Sequence, residues 1–133
     1  MDDRIISMLI LQWAKLTWGE VASNPQERAA RMFEEAAETA QAMNLSEGEC
    51  FAILARTFSR PKDDPHKEIG GLLVTVYGLC AVMNLDPKEL LKNELNRMFG
   101  KTAKDLRDRH QAKVEAGTAR PGLTGNTAKP NDC

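Results

Sequence analysis

Aromatic residues are scarce in this chain, at 5% of 133 residues, and valine and isoleucine are few beside Ala, Leu, Glu and Lys. Strands draw on β-branched and aromatic side chains, so this scarcity argues against a sheet-built core and favours helices. Cysteine is limited to Cys50, Cys80 and Cys133, an odd number without CxxC spacing, which suggests neither a disulfide framework nor a zinc centre. No excess of either charge exists: 18 Lys and Arg against 19 Asp and Glu leave a net charge of −1, and a basic grip on nucleic acid is excluded as the default. The first four residues carry Asp2 and Asp3 where a secretory signal would be basic. A reducing cytoplasm is the expected location. Long apolar runs are also lacking. Ile69–Leu85 is uncharged and near the lower limit for a membrane-spanning helix, but it contains Gly70, Gly71, Gly78 and Asn84 and is flanked by Glu68 and Asp86. With a mean hydropathy of −0.42, the expectation is a helix buried in a bundle, with no membrane partner.

What remains is 42% hydrophobic and 28% charged, enough for one helical core. Helix starts are marked repeatedly. Asn24-Pro25 followed by Glu27 reads as an N-cap, a proline at the first helical position and a capping-box acid. Ser46 with Glu49 repeats the box, Asp86-Pro87 with Glu89 repeats the whole device, and Asp64-Pro65 supplies a further start. The spacing predicts helices over 4–17, 25–43, 47–58, 65–84 and 87–99, with a polar loop over 59–63 and a stop at Gly100. Residues 101–116 read as a charged helical extension. From Gly117 to residue 133 only Leu123 is a large apolar residue, so a disordered tail is expected. The predicted fold is all-α: a four- to five-helix bundle formed by residues 1–100, plus the extension and tail.

The second predicted helix carries Glu34-Glu35-Ala36-Ala37-Glu38. Met32, Phe33, Ala36, Ala40 and Met43 form its apolar stripe, and Glu35 and Glu38, three apart, share a face away from the centre of that stripe. A solvated face, with Arg31 paired to Glu34 or Glu35, is one reading. The helix predicted over 65–84 is apolar round nearly its whole circumference and is expected to be central and fully buried. Glu68 lies in its first turn, with the small residues Gly71 and Thr75 beneath it. A carboxylate at the edge of a buried helix needs a partner or a cation. Alternatively, it is an acid favoured by the helix dipole. Carboxylates gathered at about 4 Å repel by about 4 kcal/mol per pair at an effective dielectric near 20. A Mg²⁺ or Mn²⁺ ion removes that repulsion, keeps waters and accepts substrate phosphates. The chemistry so suggested is metal-assisted attack of water on a phosphate ester or anhydride.

EExxE on one helix, with an acid opening an apolar helix thirty residues later, resembles the MazG-like all-α nucleoside triphosphate pyrophosphohydrolases. Trp18–Pro25, Glu27–Arg31, Glu34–Glu38 and His66–Gly71 look especially like the phage-type members that act on dATP and dGTP. The resemblance covers roughly residues 10–115. It implies hydrolysis of a nucleoside triphosphate, in these members a purine deoxynucleotide, between the α and β phosphates. Glu35, Glu38 and Glu68 would be ligands to Mg²⁺ or Mn²⁺, and Glu34 an auxiliary acid orienting water. Lys92, Asn93, Asn96 and Arg97 would meet phosphates, unless they form an ordinary polar exterior exchanging salt bridges with Glu89 and Glu94. Trp13 and Trp18 would either stack on a base or pack in the core. The chain departs from the family pattern in one place. Gly71 stands where ExxD requires aspartate, so three of four expected carboxylates remain. The alternative implied is a catalytically impaired nucleotide-binding or regulatory module. A homo-oligomer, dimer or tetramer, is expected, because few residues are available to cover the apolar helix. No Walker-type loop and no paired nucleophile compete with this reading.

Overall fold

The computed structural model describes residues 2–122, and within them every regular element is helical. Six α-helices follow in order: α1 (Asp3–Trp18), α2 (Pro25–Ala42), α3 (Glu47–Phe58), α4 (Pro65–Val82), α5 (Pro87–Phe99) and α6 (Ala103–Glu115), with a 3-10 helix, Gly19–Ser23, after α1. The first four amides of a helix have no partner within it, and short polar side chains supply one here. Asn24 accepts from the Glu27 amide at 2.9 Å, Ser46 from Glu49 at 3.1 Å and Thr102 from Asp105 at 3.2 Å. Asp64 and Asp86 instead take the amide two residues on, those of His66 and Lys88. Pro25, Pro65 and Pro87 occupy first-turn positions where a missing N–H costs nothing.

Helices α2 and α4 end slightly before the expected positions. Helix α4 stops at Val82, not at residue 84, because Asn84 turns left-handed (φ 55°) and Leu85 donates back to the Cys80 carbonyl at 2.9 Å. Asn44 adopts the same conformation (φ 64°) just after α2. Helix α5 stops at Gly100 as expected, though with a right-handed φ of −80° that makes no demand for glycine. The demand falls on Gly117 (φ 77°) after α6, where Thr118 donates to the Lys113 carbonyl at 2.8 Å.

The chain forms two compact units. One is discontinuous, Met1–Met43 with Lys101–Cys133, and the other is Asn44–Gly100. In the first, α1 packs against α6 and the 3-10 helix, and α2 against the 3-10 helix. Among its described residues, Ala14, Thr17, Val21, Ala22, Glu27, Leu106 and His110 are buried. Two long-range bonds tie α6 to the end of α1: Trp18 Nε1 donates to the Leu106 carbonyl at 3.1 Å and Arg107 Nε to the Thr17 carbonyl at 2.9 Å.

The second unit holds α3, α4 and α5, and here the expected burial of α4 is not found. Only Cys80 of that helix is buried, while Leu73, Val74, Val76, Tyr77 and Val82 are all exposed. An all-round apolar helix requires cover on every side, and a single chain with three short helices in this unit does not provide it. The apolar stripe of α2 is likewise open, with Met32, Phe33 and Met43 exposed. Among the described residues no single helix is long and apolar enough to cross a membrane.

Residues 117–122, grouped with the tail by composition, are held by specific bonds. The carbonyl of Thr118 accepts from Arg31, the amide of Arg120 donates to Glu27 Oε2 at 2.9 Å, and the Arg120 carbonyl lies 2.6 Å from His110 Nε2. The remainder of the expected tail, residues 123–133, lies outside the described residues, as does Cys133.

Candidate functional site

The acids of α2 divide into two kinds. Glu27, one turn into the helix, is fully buried and surrounded by cations and donors. Arg31 Nε lies 3.1 Å from its Oε1 without the alignment of a hydrogen bond, and Arg120 Nη1 lies 3.6 Å from its Oε2. The carboxylate has therefore turned away from the capping-box bond expected of it, toward helix spacing i, i+4 and the chain beyond α6. Glu34 is also occupied: Arg31 Nη1 bonds one oxygen and Lys113 Nζ lies 2.8 Å from the other. Burial lowers the pKa of the neighbouring Arg28, Glu27 opposing the shift and Arg31 adding to it. Even so, a guanidinium keeps its charge at physiological pH.

Glu35 and Glu38 are different. Both are exposed, three apart on α2, and no cation or donor within the described residues meets either carboxylate. Of the three acids of the EExxE sequence, the first is thus a brace between α2 and α6, and the other two are open. Arg31 has chosen Glu34 over Glu35. This leaves Glu34 poorly placed to orient water, since both its oxygens are already held by cations.

In the second unit Glu68 lies in the first turn of α4, exposed and likewise without a partner among the described residues. It lines a groove of about 920 Å³ at the α3–α4 junction together with Thr57, Phe58, Arg60, Pro61, Lys62, Asp63 and Lys67. Lys67 is bound to Asp63, and that hydrogen bond holds the Asp63 carboxyl below its ordinary pKa of 3.8. His66 is an exposed first-turn residue whose Nδ1 faces Asp64 at 3.0 Å. A Cβ built at Gly71 meets no atom within 4 Å, so space exists where the family pattern has aspartate.

Of the residues proposed for phosphate contact, Lys92, Asn93 and Asn96 are exposed on α5 and unpartnered among the described residues. Arg97 is forked onto Glu94, with Nε at 2.8 Å. The charges of α6 also have duties: Arg107 binds the end of α1 and Lys113 holds Glu34. Trp18 is half-buried in a cluster. Its ring forms a T-shaped pair with Trp13 at 5.2 Å between centroids, lies 6.4 Å from His110, and carries the Arg28 guanidinium at 5.7 Å. With its N–H also bonded, Trp18 acts in packing the first unit.

Hard divalent cations take oxygen ligands, and the open carboxylates Glu35, Glu38 and Glu68 fit that requirement by type. Among the described residues no three or more His, Cys, Asp or Glu are grouped so as to hold a metal ion. Sequence reasoning missed Glu27 and its partners, and the cations Arg60 and Lys62 beside Glu68. The i, i+4 spacing of Glu27 and Arg31 was the available signal for the first, and the alternation of basic residues with Pro61 for the second. Comparisons with protein-family models, with curated proteins and with solved structures give no match to this chain.

Proposed function

We propose that this protein is a metal-dependent nucleoside triphosphate pyrophosphohydrolase of the MazG-like kind, with purine deoxynucleotides as the expected substrates. The observation that carries this reading is the division of acids on α2. Glu27 and Glu34 are held by cations, whereas Glu35 and Glu38, at ligand spacing on one face, are left open. Glu68, open in the first turn of α4, is the third oxygen donor the reading requires. A bound Mg²⁺ or Mn²⁺ would neutralise the phosphate oxygens and lower the pKa of the attacking water. In the reaction the water oxygen bonds to phosphorus, the α–β bridging bond breaks, and monophosphate and pyrophosphate leave. The chain's own contribution is to hold the ligands and to receive the phosphates on Lys92, Asn93, Asn96 and Arg97. Glu34 keeps α2 in register with α6 and supports the ligands one and four residues further on.

The working form is a homo-oligomer, dimer or tetramer. Large contiguous apolar surface is uncommon on monomers, and the second unit leaves many large apolar side chains uncovered. Phe51, Ile53, Phe58, Ile69, Leu73, Val74 and Val82 are each more than half exposed. Light scattering coupled to size exclusion measures the mass directly, and a monomer at micromolar concentration overturns this part.

Turnover is tested with the eight common NTPs and dNTPs, each with Mg²⁺ or Mn²⁺, by phosphate release after added inorganic pyrophosphatase. Activity that disappears in Glu38→Ala is expected. No turnover with any substrate refutes the hydrolytic reading. Gly71 in place of aspartate favours one alternative: a nucleotide-binding module without turnover. Calorimetry separates the two, since that module binds nucleotide without releasing pyrophosphate.

A further inference from the structure

Residues 118–120 lie against α2 and α6 in the manner of a bound peptide. Three side chains read their main chain. Arg31 donates to the Thr118 carbonyl, Glu27 accepts from the Arg120 amide at 2.9 Å, and His110 Nε2 stands 2.6 Å from the Arg120 carbonyl. A carbonyl oxygen only accepts, so Nε2 is the donor in that last contact. The receiving groups are built into the first unit: Glu27 and His110 are buried and Arg31 is largely so, whereas Thr118 and Arg120 are exposed. The segment thus offers main-chain hydrogen-bonding groups and little apolar burial, and chain held in this way opens at low local free energy. Gly117 turns left-handed (φ 77°) just before it, and Pro121 biases Arg120 toward extended backbone.

This occupant leaves the site incompletely satisfied. Glu27 Oε1 is buried and makes no hydrogen bond among the described residues, although Arg31 Nε lies 3.1 Å away. The Arg120 guanidinium stops 3.6 Å from Oε2, outside the about 2.7–2.9 Å of a forked arginine–carboxylate pair. A buried carboxylate is costly unless it is both paired and hydrogen-bonded. The site therefore requires an occupant, yet an arginine able to approach both oxygens serves it better than the one its own chain supplies.

We propose that Glu27, Arg31 and His110 form a peptide-binding site, that residues 118–120 fill it as an internal stand-in, and that it accepts in exchange an extended, arginine-bearing segment of a partner protein. Glu27 takes the amide and the guanidinium of the incoming arginine. His110 takes that residue's carbonyl, and Arg31 the carbonyl two residues earlier. Recognition thus reads one side chain and three main-chain groups, and leaves the rest of the incoming sequence unspecified. None of Glu35, Glu38 and Glu68 takes part, so this site stands apart from the hydrolytic reading.

The test is fluorescence anisotropy on the full chain, with a peptide of the sequence from Ala116 to Gly122, labelled with fluorescein at its N-terminus and amidated at its C-terminus. In the parent the tethered segment competes at an effective concentration on the order of millimolar, so the added peptide binds weakly. Arg120→Pro removes the competing amide and guanidinium together, and this variant should bind the peptide about tenfold tighter than the parent does. Arg120→Ala, which keeps the amide, should give a smaller gain of the same sign; it decides the matter if circular dichroism shows that the proline variant has lost its helices. A peptide with lysine in place of its arginine should bind about fivefold more weakly, because an ammonium lacks the planar fork. A brace with no binding role would show none of these changes. The proposal is overturned if the peptide binds parent and variants alike, or if neither variant binds it at millimolar concentration. It is equally overturned if the lysine peptide binds as tightly as the arginine one.

Discussion

Replacing Glu27 by alanine should destabilise the first unit by about 3 kcal/mol. Its carboxylate is 0% exposed, while the side chain of Arg31 is 18% exposed and that of Arg120 45%. Removing one member of a buried ion pair costs about 3–5 kcal/mol, because the other charge is left uncompensated. The lower end applies here. Arg120 rehydrates readily, and Arg31 keeps Glu34 and the Thr118 carbonyl. Glu27→Gln retains an oxygen for the Arg120 amide and nearly the original volume, so about 1.5–2 kcal/mol is expected. Trp13 and Trp18 are the only tryptophans, and both lie in this unit. Urea unfolding followed by their fluorescence therefore reports on it separately from the second unit. In thermal unfolding the alanine variant should melt on the order of 10 °C lower, for a chain of this size. A loss below about 1 kcal/mol, or equal losses for alanine and glutamine, refutes the account of Glu27 as a charged anchor.

Further outcomes are expected. Glu35→Gln with Glu38→Gln should change metal-free stability by less than about 0.5 kcal/mol, since neither side chain has a partner to lose among the described residues. It should also abolish stabilisation by Mn²⁺ in a thermal-shift assay. Gly71→Asp should fold normally, given the open space around that position, and show a larger Mg²⁺-dependent rise in Tm than the parent. Gly117→Ala should cost about 1–2 kcal/mol in urea unfolding, because its φ of 77° is unfavourable for an L-residue. For Asp63 the folded pKa lies below the unfolded value, so its tie to Lys67 is present above the ordinary carboxylate range and is lost as pH falls through the lower value. Carboxyl NMR should show this low midpoint, and Lys67→Ala should return it toward 3.8.

Helices were legible from the sequence because their punctuation is local. A proline at the first turn and a short polar residue before it act within four residues, and Asn24, Ser46, Asp64 and Asp86 all serve as N-caps. Helix ends were less legible, since left-handed Asn44 and Asn84 follow α2 and α4 and neither was read as a stop signal. Periodicity also overstated burial. The apolar circumference of α4 reports what that helix can bury, not what one chain supplies to cover it. The site was legible only in part. Spacing placed Glu35 and Glu38 on one face, but the fate of Glu34 depended on Lys113, far along the chain on α6. The anchor at Glu27 joins residues 93 apart, a separation over which no sequence pattern operates.

That separation has a consequence during synthesis. The second unit, 44–100, is contiguous and has all its residues before α6 is translated. The first is split, with α1 and α2 emerging early and α6 late. Until Arg120 leaves the ribosome, Glu27 lacks the amide that caps its carboxylate, and Trp18 waits for the carbonyl of Leu106. Helices α1 and α2, translated before the second unit, thus complete their contacts after it, and their unsatisfied surface stays open throughout that interval.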